Sequence, residues 1–206
     1  MKTKWLDVSM SISPEMVSWP KDPRFVAEAA SRITEGAPCN VSQITMSTHT
    51  GTHCDAPWHF VETGKKLDEV DTSLFFGKAL VIDLPGVPLI QNRHLPANRL
   101  PERVLFKTSN SRFSDADEFH KDFVALDLDA AERLVADGVR LVGIDYLSIS
   151  PYKNATPVHR ALLEAEVLII EGLRLGEVNA GVCDFVVLPL PLAGLDGAPC
   201  RAFIGV

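Results

Sequence analysis

Three of the chain's six histidines fall in one short stretch, His49-Thr-Gly-Thr-His53-Cys-Asp55-Ala-Pro-Trp-His59. Two imidazoles and a carboxylate form a borderline-hard donor set that suits zinc, and also manganese or iron. The spacing constrains how they can act together. On an extended strand His49 and His53 would lie about 13 Å apart, whereas donors sharing one ion each sit about 2.0–2.2 Å from it. A helix would bring them together, but Thr48, Thr50, Gly51 and Thr52 are poor helix formers. A bent loop remains, with Gly51 supplying the backbone freedom for the turn. His53 and Asp55 then share one face of a short extended piece, Cys54 faces the other way, and Pro57 stiffens the exit that presents His59. The plain alternative is a set of surface-loop histidines. Such density in a histidine-poor chain favours a metal site. A thiol nucleophile at Cys54 would need a free base and an electropositive niche, so Cys54 reads as a small buried residue.

The elements that must position these residues change in texture along the chain. Residues 1–90 are rich in Thr, Ser, Val, Pro and Gly, with extended runs expected at 5–11, 25–32, 41–48 and 78–84. From about residue 103 strands and helices alternate. A strand at 104–108 precedes a helix opened by the capping-box spacing Asp129-Ala-Ala-Glu132 and closed at Gly138. A buried strand at 139–145 follows. Thr156-Pro157 then starts a second helix, with Thr156 as N-cap and His159 in its first turn, running to about Ala165. Further strands are expected at 167–171, 184–189 and 200–206. This order implies an α/β domain with partly parallel pairing, in which sites gather at the carboxyl ends of strands. Asp145 and Glu171 stand at such ends. Asp145 reads as a cap, or as a residue that orients a ligand histidine, rather than as a ligand. His94 and His120 lie among loop-like polar residues and read as solvated. Residues 99–103 and 112–120 read as mixed-charge surface.

Composition narrows the function classes. The 206 residues suit one domain spanning 1–206, and the formal charge of −7 excludes a whole-protein basic field for nucleic acid. The opening MKTKWLDVSMSISPEM lacks the apolar run of a signal peptide, and no stretch is long and apolar enough for a membrane span. The four cysteines (Cys39, Cys54, Cys183 and Cys200) are scattered, as in a cytoplasmic protein with reduced thiols. A small-molecule partner is expected.

HTGTHCDAPWH resembles the HxGTHxDxPxH motif of the cyclase family of metal-dependent hydrolases, most of all its short bacterial kynurenine formamidases. Val17-Ser-Trp19-Pro20 with Asp22-Pro23 is similar to that family's tryptophan-containing substrate loop. His159 and Glu171 are placed like its remaining metal ligands, and LPLPLAGLDGAPCRA like its closing strands. The resemblance implies a swivelling β/β/α fold with a mixed sheet and two zinc ions per subunit, manganese being the other metal considered. It implies that His49, His53 and Asp55 hold one ion, that Asp55 bridges to a second held by His159 and Glu171, and that His59 is the catalytic histidine. It places Trp19 against substrate, although a packing tryptophan explains that residue equally well. A homodimer or higher oligomer is also implied. The segment Tyr152-Lys-Asn-Ala-Thr-Pro-Val-His159 and the residues after Gly143-Ile-Asp145 depart from the formamidase pattern. Substrate classes consistent with this reading are aryl formamides, such as N-formylkynurenine, and other cyclic or aryl amides or lactones, as in isatin hydrolases. A metal-stabilised binding domain without turnover is the non-enzymatic alternative, and the unligated His59 argues against it.

Overall fold

A computed structural model describes residues 4–113 and 118–206. Its regular elements are β1 (Trp5–Asp7), β2 (Val26–Ser31), β3 (Val41–Thr45), β4 (His53–Asp55), β5 (Phe76–Leu84), β6 (Arg103–Thr108), α1 (Leu128–Asp137), β7 (Leu141–Ile144), α2 (Thr156–Glu164), β8 (Leu168–Glu171), β9 (Gly181–Pro189) and β10 (Gly197–Gly205). Eight strands form one sheet in the order β1-β10-β4-β8-β7-β6-β5-β9, and β9 also pairs with β10. The sheet therefore curls into a ring of seven strands, with β1 laid against the far half of β10. Strands β5 to β8 are mutually parallel, and the remaining pairings are antiparallel. The result is a mixed α/β fold built on a barrel-like sheet, with β2 and β3 forming a separate hairpin exposed along nearly its whole length.

Strand periodicity places a core on each face of the barrel sheet, because successive side chains leave a strand on opposite faces. On β6, Leu105 enters the ring interior with Cys54, Ile170, Phe185 and Ala202. Its neighbours Val104 and Phe106 face outward and pack with Val142, Ile144 and Ile169 beneath the apolar stripes of α1 and α2. Gly143 is small for a packing reason: a Cβ there would fall 2.7 Å from both Leu105 Cδ2 and Leu173 Cδ1. Arg103, expected on the surface, is instead buried. Its guanidinium donates to the carbonyls of Ser73 and Leu74.

Helix starts differ slightly from the sequence expectation. Asp127 caps α1, its side chain accepting from the Ala130 amide at 2.9 Å, so the Asp129–Glu132 spacing lies inside the helix. Gly138 closes α1 at φ 82°. Thr156 is the first helical residue of α2 rather than its cap, because Ala155 already has helical backbone angles. Of the 112–120 stretch, residues 114–117 lie outside the described residues.

One close approach locks the site loop to the barrel. Gly172, directly after β8, has φ 71°, and a Cβ on it would lie 2.5 Å from the Gly51 carbonyl oxygen. Beside it the Thr52 hydroxyl donates to the Gly172 carbonyl at 2.7 Å and accepts from the Met10 amide at 2.8 Å. Gly172→Ala is therefore expected to cost about 2 kcal/mol or more. Gly86→Ala, at φ 76° with open space around it, is expected to cost only about 1 kcal/mol. Urea midpoints compare the two. Equal losses would show that the close approach to Gly51 carries no penalty.

Candidate active site

The expected bent loop is present: Gly51 turns at φ 67°, and β4 follows immediately. Cys54 points into the ring, fully buried, and burial pushes its thiol well above the usual range. His53 and Asp55 leave the opposite face of β4. Strand register then brings in Glu171, because β4 runs antiparallel to β8 with His53 directly opposite Glu171, and cross-strand partners share a face. On the other side of β4, Gly197 of β10 is the partner of Asp55. A Cβ on Gly197 would sit 3.1 Å from His49 Cε1, so the missing side chain makes room for that imidazole.

Each histidine is aimed by a backbone or carboxylate partner. His53 Nδ1 is 2.9 Å from the Gly51 carbonyl, and His159 Nδ1 is 3.0 Å from the Ala155 carbonyl and 2.6 Å from Ser150 Oγ. A carbonyl only accepts, so Nδ1 of each ring carries a hydrogen, and in the neutral ring it is Nε2 that offers a lone pair. His53 Nε2 lies 3.4 Å from Asp55 Oδ1 and 3.4 Å from Glu171 Oε2. His159 Nε2 lies 3.3 Å from Glu171 Oε1 and 3.7 Å from Asp55 Oδ2. His49 Nδ1 is 2.9 Å from Asp55 Oδ1. Phe60 stacks on the His159 ring with centroids 4.3 Å apart.

These separations fit metal ions. Two donors about 2.1 Å from one ion at a tetrahedral angle are about 3.4 Å apart, close to the values above. His49, Asp55 and His59, and again His53, Asp55 and Glu171, place their donor atoms within 4.8 Å of one another. Asp55 Oδ2 is buried without a hydrogen-bond partner, a costly state for a carboxylate oxygen unless a cation faces it. Asp55 and Glu171 each turn one oxygen toward His53 and the other toward His159, so both carboxylates, and not Asp55 alone, span the two halves of the cluster.

His59 arrives on the short 3-10 turn Pro57–His59. Its ring centroid lies 4.0 Å from that of His49 and 6.0 Å from that of His159, and it keeps 27% of its side chain exposed. It borders a cavity of about 320 Å³ that is also lined by Trp19, Asp22, Phe60, His159 and Asp196. Trp19 lines this cavity and packs edge-on against Phe119, with Tyr152 tilted beside it. Pro20 and Lys21 form the turn that carries Trp19, closed by the Asp22 amide to the Trp19 carbonyl at 3.2 Å, with Lys21 at φ 80°.

Asp145 stands apart from the cluster as a cap. It accepts from the Thr108 amide and hydroxyl at 2.7 and 2.8 Å and from the Ser111 hydroxyl at 2.5 Å. Neither His94 nor His120 lines the cavity, and neither is simply solvated: His94 Nδ1 accepts from the Gln91 amide, and His120 stacks on Phe113. The residue that sequence reasoning passed over is Asp196. Its Oδ2 is 2.8 Å from His49 Nε2 and 3.5 Å from His59 Nδ1. No motif spacing ties it to residues 49–59; only the β10–β4 pairing does.

The electrostatics follow from this crowding. Burial alone would lower the His49 pKa, but hydrogen bonds to Asp196 and Asp55 raise it from 6.5 to about 10. Burial would likewise raise Asp55, yet the charges of His59 and His49 hold it far below the usual carboxylate range. Glu171 is lowered by His159 and His53 against burial and the charge of Asp55. Burial opposes charge on His159, and Glu171 and Asp55 outweigh it. Without metal, then, His49 and His159 are the imidazoles held toward their charged forms.

The chain belongs to the Cyclase family, whose family model matches residues 6–151; His159 and Glu171 lie beyond that stretch. It is similar to curated kynurenine formamidases. One from Bacillus cereus is 36% identical over 208 residues, covering 99% of each chain. Another from Erythrobacter litoralis is 36% identical over 200 residues, covering 96% of this chain and 92% of the relative. Among solved structures it is similar to a potential metal-dependent hydrolase with cyclase activity, at TM-score 0.85 and 36% identity, covering 99% of this chain and 98% of that one. The isatin hydrolase A of Labrenzia aggregata shares the fold at TM-score 0.83 and 22% identity, covering 99% and 94%.

A group whose folded pKa is raised adds stability that is complete below its unfolded value and is lost as pH climbs to the folded value. Stripped of metal, the protein should therefore lose melting temperature steadily from pH 6.5 toward pH 10, the span over which folded His49 keeps a proton that the unfolded chain has released. The lowered carboxylates act oppositely and withdraw stability on acidification. With saturating zinc the alkaline decline should shrink, because metal replaces the proton. Identical melting profiles with and without chelator would contradict this electrostatic picture.

Proposed function

We propose that the chain is a metal-dependent amidohydrolase that cleaves a small aryl formamide such as N-formylkynurenine. The observation that carries this reading is the pair of buried carboxylates, Asp55 and Glu171, each reaching toward two histidines; His59 lies beside them, and this reading takes it as the base rather than as a ligand. Near-full-length similarity to kynurenine formamidases supports the substrate class. In this reading His49, His53 and Asp55 hold one divalent ion, and His159, Asp55 and Glu171 hold a second, zinc or manganese. The architecture is read as one swivelling β/β/α domain over residues 1–206, working in the cytoplasm. A homodimer or larger oligomer would cover the exposed Val26, Val41 and Ile44 of the β2–β3 hairpin.

Bound divalent ions would supply Lewis acidity, easing deprotonation of water and polarising the scissile carbonyl. The remaining work belongs to this chain's side chains. His59 takes the proton from water and returns it to the departing amine nitrogen, which an amide needs in order to leave. Ring-on-ring contact with His49 holds His59 at the cavity edge. Trp19, backed by Phe119 and Tyr152, offers an aromatic face to an aryl substrate. Phe60 keeps the His159 ring from rotating.

A second reading is hydrolysis of a neutral cyclic amide such as isatin. It is favoured by the absence of any Lys or Arg among the described residues that line the cavity. Purified enzyme assayed on N-formylkynurenine and isatin separates the two, and turnover of isatin alone would select the second. His59→Ala should keep its metal while kcat falls by roughly 10²–10⁴-fold. Loss of metal from that variant would remove His59 from the role of base. Asp55→Ala should lose both ions, measured by elemental analysis, and unchanged metal content would contradict bridging.

A further inference from the structure

We infer that Asp196 is a positioning residue that ties the outer metal ligand to the base, with one carboxylate oxygen serving both His49 and His59. The inference rests on the proposed roles of those two histidines and extends them to a residue outside the ligand motif.

The backbone around Asp196 is fastened to the segment that carries His59. The Ala56 amide donates to the Asp196 carbonyl at 2.9 Å, and the Leu67 amide to the Leu195 carbonyl at 3.0 Å. One residue on, Gly197 pairs with Asp55 in the β10–β4 ladder. The Asp196 carboxylate is itself held, because Thr48 Oγ1 donates to its Oδ1 at 3.2 Å. Its other oxygen, Oδ2, accepts from His49 Nε2 at 2.8 Å. That leaves His49 Nδ1 directed at Asp55, the arrangement in which an outer carboxylate fixes the tautomer and ring plane of a metal-binding imidazole. The same Oδ2 lies 3.5 Å from His59 Nδ1. This contact is long, as such contacts often are before substrate binds. It directs the Nδ1 hydrogen of His59 to Asp196 and frees Nε2 as the basic nitrogen. With 32% of its side chain exposed, Asp196 contributes little to the packed core, so its replacement tests the site more than the fold.

The test uses the zinc-loaded full chain and Asp196→Asn, which keeps the size and removes the charge. Zinc affinity, read by competition with a chromogenic chelator, should weaken by about 10–100-fold with stoichiometry unchanged. On N-formylkynurenine kcat should fall by a similar factor with KM nearly constant. The same substitution placed on His59→Ala should cost no further kcat, since Asp196 acts on the proton transfer through His59. In the wild-type protein, long-range ¹H–¹⁵N spectra should show His59 as the Nδ1–H tautomer, a readout that survives if the variant folds poorly. An equal loss of kcat in the His59→Ala background, a His59 carrying its hydrogen on Nε2, or loss of a whole equivalent of zinc would each overturn the inference. If the wild-type chain hydrolyses no formamide, the proposed substrate fails, while zinc affinity and the tautomer still decide the role of Asp196.

Discussion

Two carboxylates lie almost side by side beneath the surface of this protein, and nearly everything around them answers to that fact. Asp55 is fully buried and Glu171 is 3% exposed. Like charges about 4 Å apart repel by about 4 kcal/mol at the effective dielectric of a protein, and each also forfeits its hydration. Only concentrated positive charge makes such a pair tolerable. His49 and His159 lean toward supplying it in the metal-free state, and divalent ions are its natural occupants in the proposed enzyme. The crowding is imposed by the fold, because the β4–β8 pairing fixes both carboxylates at buried positions.

The barrel gives that register its precision. A strand of three residues, β4, is held on both edges, by β8 and by β10, so His53, Asp55, Glu171 and the space above Gly197 are fixed relative to one another. Cys54 anchors the strand from the other face. Helix α2 closes the cluster from above, with His159 in its first turn and Phe60 packed on the imidazole. Mobile positions would serve poorly here, since metal ligation and proton transfer both depend on alignment within a fraction of an ångström. The aromatic wall around Trp19 sits on irregular segments instead, apart from the strands that carry the carboxylates.

Much of the site was legible in the sequence for a physical reason: its residues are local. The bend at Gly51, the opposed faces of Cys54 and Asp55, and the presentation of His59 after Pro57 all follow from short-range backbone chemistry. Glu171 and His159 were legible as a strand end and a helix start. What stayed hidden depends on pairings between distant segments. Asp196 enters through the β10–β4 ladder, Gly197 matters only because His49 lies over it, and Glu171 was not recognisable as a second spanning carboxylate until its two oxygens could be placed. Closure of the sheet was invisible for the same reason, since no local pattern announces that β9 returns to β10. The two helix starts differ by a residue or two: Asp127 caps α1 ahead of Asp129, and Ala155 already has helical angles before Thr156.

The central claim is that Asp55 and Glu171 are buried together in order to hold cations between them and the histidines. Crystals of the protein grown with zinc, with data collected on either side of the zinc absorption edge, test it most directly. The account predicts two anomalous peaks flanking the Asp55 carboxylate, one nearer His49 and His53 and the other nearer His159, with ligand distances of about 2.0–2.2 Å. No anomalous density within reach of Asp55, or zinc bound only at surface residues, would contradict it.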